Sequence, residues 1–211
     1  MSVFRLSNLV RAPLLDAAEK WIFAAVFAFF ASRMMQAYLL TGSLASILYT
    51  LDQLVVLVFI LIRRSPKELS LRLDDWAVGF LGTLLAVLIG PPGDNPLVPE
   101  VIVFVFLSAG FAIHVSAKLT LRRSFGVVAA NRGIQASGPY RLVRHPMYLG
   151  YVVSQMGMLL AGPTPLNTVV ILGCWMIFLG RIVAEERLLS RDPDYLALCA
   201  VTRWRLIPGI Y

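Results

Sequence analysis

Two groups of residues in this chain carry side chains that could do chemistry together. The first is the run Gly138-Pro139-Tyr140-Arg141-Leu142-Val143-Arg144-His145-Pro146-Met147-Tyr148-Leu149-Gly150, where polar and aromatic groups gather at the threshold of an apolar segment. The second is Glu185-Glu186, at the end of the apolar run after that one. Gly138-Pro139 reads as a turn. Pro146 fixes its own φ and pushes His145 out of the helical region, so a helix is expected to start at Pro146 with His145 at or beside its N-cap. A helix start leaves backbone N–H groups unpaired and carries partial positive charge. With Arg141 and Arg144 beside it, this corner should attract a carboxylate or a phosphate.

The elements that must position these groups lie between them. Apolar runs at about 147–161 and 166–184 are separated by Gly162-Pro163-Thr164-Pro165, a pattern expected to form a helical hairpin. A hairpin returns its second arm to where the first began, so Arg144, His145 and Tyr148 should meet Glu185 and Glu186. The plainer role for Glu185 is an i,i+4 pair with Arg181 on an exposed helix end, worth only about 0.3–0.5 kcal/mol. A basic helix start facing paired carboxylates suits a dipolar cofactor, such as the amino-acid part of S-adenosylmethionine: its carboxylate wants N–H donors, its ammonium and ribose hydroxyls want acceptors.

Composition fixes the surroundings. At 58% hydrophobic and 15% charged residues over 211 positions, with a mean hydropathy of +0.76, the chain is too apolar for a soluble domain. A polytopic all-α membrane bundle is expected. The net charge of +7 sits in short segments between apolar runs rather than across one basic face, so cytoplasmic loops explain it better than nucleic acid does. Cys174 and Cys199 offer neither a disulfide framework nor metal spacing, and His114 and His145 are the only histidines, so no metal site is expected. The first twenty residues lack the pattern of a cleavable signal.

In chain order, residues 1–20 read as a surface-lying or loosely ordered cytoplasmic arm. Spans are expected at about 21–40, 44–62, 76–90 and 100–121, making a four-span bundle over 21–121. The hairpin arms bring the total to six, with both termini cytoplasmic in a cell inner membrane. Arg33 lies within the first span and is expected to snorkel or to find a partner in the bundle. In the fourth, His114, Lys118 and Arg122 recur at four-residue steps and share a helix face. That face either ends as a basic rim with His114 as a satisfied core group, or lines a chamber and binds an acidic substrate head. The linker 123–145 carries Arg123, Arg132, Arg141 and Arg144 with no acid, so it is either an ordered functional loop or a flexible one. Residues 122–211 then form the functional core of linker, hairpin and tail. No dinucleotide fingerprint, phosphate loop or Ser-His-carboxylate set is present.

The combination of Gly138-Pro-Tyr-Arg-x-x-Arg-His-Pro-x-Tyr-x-Gly150, a hairpin, Glu185-Glu186-x-x-Leu189, then Tyr195 leading to Arg205-Leu-Ile-Pro208 resembles the isoprenylcysteine carboxyl methyltransferase family and its phospholipid methyltransferase relatives. The resemblance covers about 115–211. It implies an integral membrane enzyme holding S-adenosylmethionine in a cytoplasm-facing pocket, with a lipophilic or lipidated acceptor arriving from the bilayer. By the same likeness Tyr140, Val143, Arg144, His145, Pro146 and Tyr148 would build the cofactor wall, and Glu185 and Glu186 would contact its polar groups. Arg144, His145 and Arg205 would be the catalytic set, with Arg205 on the acceptor side, while His114, Lys118 and Arg122 remain candidates for the acceptor's head. The tail, with Thr202-Arg203-Trp204 before Arg205, resembles that of the membrane sterol reductases as well. An NADPH-dependent reductase of a lipid double bond and a non-enzymatic membrane protein therefore stand as alternatives.

Overall fold

A computed structural model of the chain describes residues 3–42 and 44–211. Among the described residues seven α-helices follow one another: α1 (Val3–Thr41), α2 (Leu44–Ile62), α3 (Leu73–Leu84, prolonged by a 3-10 turn over Leu85–Leu88), α4 (Glu100–Leu121), α5 (Pro146–Ala161), α6 (Pro165–Leu189) and α7 (Pro193–Val201). Two short strands, β1 (Glu68–Leu69) and β2 (Ala130–Asn131), pair antiparallel with Glu68 opposite Asn131. Among the described residues two helices, Glu100–Ser124 and Pro165–Leu189, are long and apolar enough to cross a membrane, and Thr50–Ile62 is a shorter apolar helix.

The expected arm and first span are one helix. Met1 and Ser2 of that arm lie outside the described residues. From Val3 the helix continues through Pro13 without a break, and the two acids that read as part of an exposed arm, Asp16 and Glu19, are engaged by partners from the rest of the chain. Glu19 is fully buried, and its Oε1 accepts from the backbone N–H groups of Val127 and Val128 at 3.0 Å each. Arg63 and Arg132 both reach Asp16, at 2.8 and 2.6 Å. The linker is thereby ordered: α1 grips it from one side and β1 from the other.

The bundle has two distinct ends. At one, Asn167 caps the Gly90-Pro91 turn by accepting from Gly90 N at 2.9 Å and donating to Pro91 O at 3.0 Å. There Gly93 N also donates to Gly162 O at 2.8 Å. Gly162 has φ 152, and a Cβ on it would lie 2.2 Å from Gly93 O, so only glycine fits. At the other end lie the start of α5, the ends of α4 and α6, the linker and the tail. Thr164 caps α6, accepting from Asn167 N at 3.1 Å with Pro165 in the first turn.

The hairpin joins its two open ends as expected, yet the broad face of α5 lies against α4 rather than α6. Glycines cause this. A Cβ on Gly110 would lie 2.2 Å from Ser154 Oγ, one on Gly150 2.6 Å from His114 N, and one on Gly157 2.9 Å from Phe106 Cβ. Small residues at these crossings let the two backbones touch, the usual way to gain packing where lipid removes the hydrophobic drive.

Candidate functional site

The functional end is assembled by the tail folding back on the motif. Arg144 N donates to Trp204 O at 2.9 Å and His145 N to Arg205 O at 2.8 Å, while Thr202 Oγ1 donates to Tyr140 O at 3.2 Å. His145 is the N-cap of α5 and Pro146 its first residue, as the sequence predicts. Tail carbonyls thus take the two amides just before the helix, leaving them no N–H to offer an anion. The tail has its own helix, α7, capped by Asp192, which accepts from Asp194 N at 2.9 Å.

Four side chains converge on Glu186. Arg144 Nη1 donates to its Oε1 at 2.9 Å, Tyr195 donates to the same oxygen at 3.2 Å, and His145 Nε2 lies 3.4 Å from it. Arg205 Nε donates to Oε2 at 2.7 Å. Glu185, one residue earlier, accepts from the Tyr148 hydroxyl and lies 3.4 Å from His145 Nδ1. Burial alone would lower the His145 pKa, but its contacts with both glutamates outweigh this and raise it above the ordinary value. Tyr140 is held in its neutral phenol form well above the usual range, first by burial and then by the charge of Glu185.

Tyr148 is the floor of this arrangement. Its ring stacks on His145 at 5.9 Å and on Phe178 at 5.5 Å, and the Arg181 guanidinium lies 5.3 Å from its centroid. Arg181 is buried and donates to Val127 O at 2.8 Å. It is therefore a core group tying α6 to the linker, not a surface partner of Glu185.

A cavity of about 100 Å³, partly open to solvent, lies here. Its polar wall includes Tyr140, Arg144, His145, Tyr148, Glu185 and Tyr195; several linker residues between Ser124 and Gln135 and the apolar Leu121, Met147, Leu189 and Leu198 also line it. Val143, Pro146, Glu186 and Arg205 do not line it. Val143 and Pro146 are buried beneath the motif, Glu186 has its oxygens engaged by protein groups, and Arg205 is held against Glu186. Arg132 and Gln135 are wall residues not singled out from the sequence. Their only signal was position in an acid-free linker.

The helix face His114-Lys118-Arg122 is split. Lys118 is fully buried and donates to Asp52 Oδ1 at 2.6 Å, and His114 Nδ1 stands 3.6 Å from the same oxygen. Neither lines this cavity, whereas Arg122 is exposed at the end of α4. Asp52, the partner that organises them, had no readable partner in sequence because it lies 66 residues away from Lys118.

Fold and site together define a mostly helical protein with two membrane-capable helices and a cavity at one end of its bundle. Residues 101–191 match the model of the isoprenylcysteine carboxyl methyltransferase family. The matched stretch, which carries nearly all of α4, the linker, the motif and both glutamates, is similar to that family of methyltransferases. The sterol-reductase and non-enzymatic alternatives gain no support from the match. No curated protein matches the chain.

Proposed function

We propose that this protein transfers a methyl group from S-adenosylmethionine to a carboxylate, amine or thiol on a lipophilic acceptor in the membrane. The carrying observation is the single cavity in which Arg144, His145 and Glu185 face the same space beside two tyrosine rings. This donor set fits the cofactor's chemistry. Arg144 and His145 supply N–H donors for a carboxylate, Glu185 accepts from an ammonium, and aromatic faces attract a cation. The bound cofactor would supply an electrophilic methyl group on a positively charged sulfur.

The chain's own tasks are alignment and exclusion of water. Tyr148 and Tyr140 form a rigid aromatic surface, and Glu186 fixes Arg144, His145 and Arg205 in one relative orientation. Arg205 is the candidate to hold an acceptor carboxylate, which needs no base; for an amine or thiol acceptor, His145 or Glu185 would take the proton. Arg122 is the residue of the α4 face best placed to meet an acidic acceptor head, with His114 and Lys118 acting behind it through Asp52. The same proposal has six helical passes, α1 to α6, in the cell inner membrane. Both termini are then cytoplasmic, at the end where the arginines gather.

Titration of the detergent-solubilised protein with labelled S-adenosylmethionine tests this. Binding should weaken at least tenfold in Glu185→Gln and in His145→Ala. Wild-type affinity in both variants would eliminate the pocket.

A further inference from the structure

A second cavity, of about 700 Å³, adjoins the first. Leu121, Ser124 and Gln135 belong to the walls of both, and Gln135 Nε2 donates to Ser124 Oγ at 3.5 Å within that partition. The second cavity is lined by Arg64, Arg122 and Arg123 and by no carboxylate. All three arginines are exposed. Among the described residues none of them forms an ion pair, whereas Arg63, Arg132, Arg144 and Arg205 each reach a carboxylate.

The groove is held in shape by the backbone. Arg64 N donates to Arg123 O at 2.8 Å, and Arg123 Nε donates to Ile62 O at 3.1 Å, so the exits of α2 and α4 are stitched together. Arg122 has φ 47 and ψ −116, and among the described residues it is the one non-glycine with positive φ. A continuing helix would turn successive side chains about 100° apart; the reversal at Arg122 instead leaves Arg122 and Arg123 on one cavity. Three like charges around a shared space repel one another, and an anion between them removes the repulsion. Arginine's planar fork of donors matches a phosphate bidentately. The groove also stands at the end of Glu100–Ser124, one of the membrane-capable helices, the level at which lipid headgroups meet the protein.

We infer that this groove binds the phosphate of an anionic membrane lipid headgroup that lacks a balancing cation, one side-chain layer away from the first cavity. The inference does not depend on methyl transfer, since an anion in the groove needs no methyl donor.

The test measures binding to full-length protein in non-ionic detergent by thermal shift. Its probes are dihexanoyl phosphatidic acid, dihexanoyl phosphatidylcholine and inorganic phosphate. Dihexanoyl phosphatidic acid should stabilise the protein, with an apparent affinity that falls as salt rises. Arg64→Gln/Arg122→Gln/Arg123→Gln should weaken it at least tenfold, while Arg191→Gln leaves it unchanged. If the triple variant shows no cooperative melt, Arg64→Gln and Arg122→Gln singly should each weaken it about threefold or more. Equal binding of phosphatidylcholine, or wild-type affinity in the arginine variants, overturns the inference. Inorganic phosphate competing at the same concentration as the lipid overturns the lipid assignment in favour of a soluble phosphate ester.

Discussion

At the scale of single residues, the two adjacent glutamates do different work. Glu185 faces the cavity, whereas Glu186 is enclosed by Arg144, His145, Tyr195 and Arg205. Glu186→Gln keeps the shape but removes the charge that several cations share, so it should lower stability by about 1–3 kcal/mol, below the ~3–5 kcal/mol of a fully buried pair. Differential unfolding of the two variants checks this: Glu186→Gln should melt lower than Glu185→Gln, while Glu185→Gln loses more cofactor affinity. His145 gives these contacts a pH dependence. Its pKa is raised in the folded protein, so its stabilising charge is fully present below the ordinary value of 6.5 and is lost as pH rises through the raised folded value. Melting temperatures measured across that window should fall with pH in the wild type, and the slope should flatten in His145→Asn. The meeting of His145 with the glutamates was legible in the sequence, because Pro146 marks a helix start and Gly162-Pro163 a reversal. That Glu186 would be enclosed was not, since enclosure needs Tyr195 and Arg205 brought back by a helix, α7, that no apolar period announced.

At the scale of elements, the boundaries of α2, α4, α5 and α6 follow the apolar runs closely, since an apolar stretch flanked by Pro, Gly and Arg has few other ways to satisfy its backbone in lipid. Which helices touch was not legible. Gly110, Gly150 and Gly157 form the α4–α5 seam, but a glycine in an apolar run reads equally as a flexible point or a close approach. Gly150→Ala sets a methyl 2.6 Å from His114 N and 2.7 Å from its Cβ, which forces the helices apart. A loss of about 1–3 kcal/mol is expected, and cofactor affinity should fall with it because Gly150 lies on the same helix as Tyr148. The Asp52–Lys118 pair is a second joint, between α2 and α4. Asp52→Ala strands a fully buried ammonium and should destabilise by about 3–5 kcal/mol, whereas Asp52→Leu with Lys118→Met should recover most of it. Thermal melts of the single and double variants in one detergent decide this.

At the scale of the whole molecule, the part of the chain before the family match holds the cavity-bearing part in shape. Glu19 in α1 accepts from Val127 N and Val128 N and forms an ion pair with Arg63 at 3.0 Å, and with Arg132 at 3.4 Å. Val128 and Arg132 are wall residues of the first cavity, so one buried carboxylate more than a hundred positions away along the chain sets that wall. This explains why residues 1–20 read as a loose arm: acids and bases mixed among apolar residues look solvated until the cations that enclose Asp16 and Glu19 are known. Glu19→Ala removes an acceptor from two buried amides and leaves Arg63 and Arg132 with only Asp16 for neutralisation. The linker should then open locally before the bundle unfolds. Amide hydrogen exchange is therefore expected to speed up at 126–133 while the α4–α5 seam stays protected, and S-adenosylmethionine binding in the proposed pocket should weaken several-fold even though no residue lining that pocket has changed. Unaltered exchange at 126–133 in a folded Glu19→Ala protein would show that the linker keeps its shape without this contact from α1.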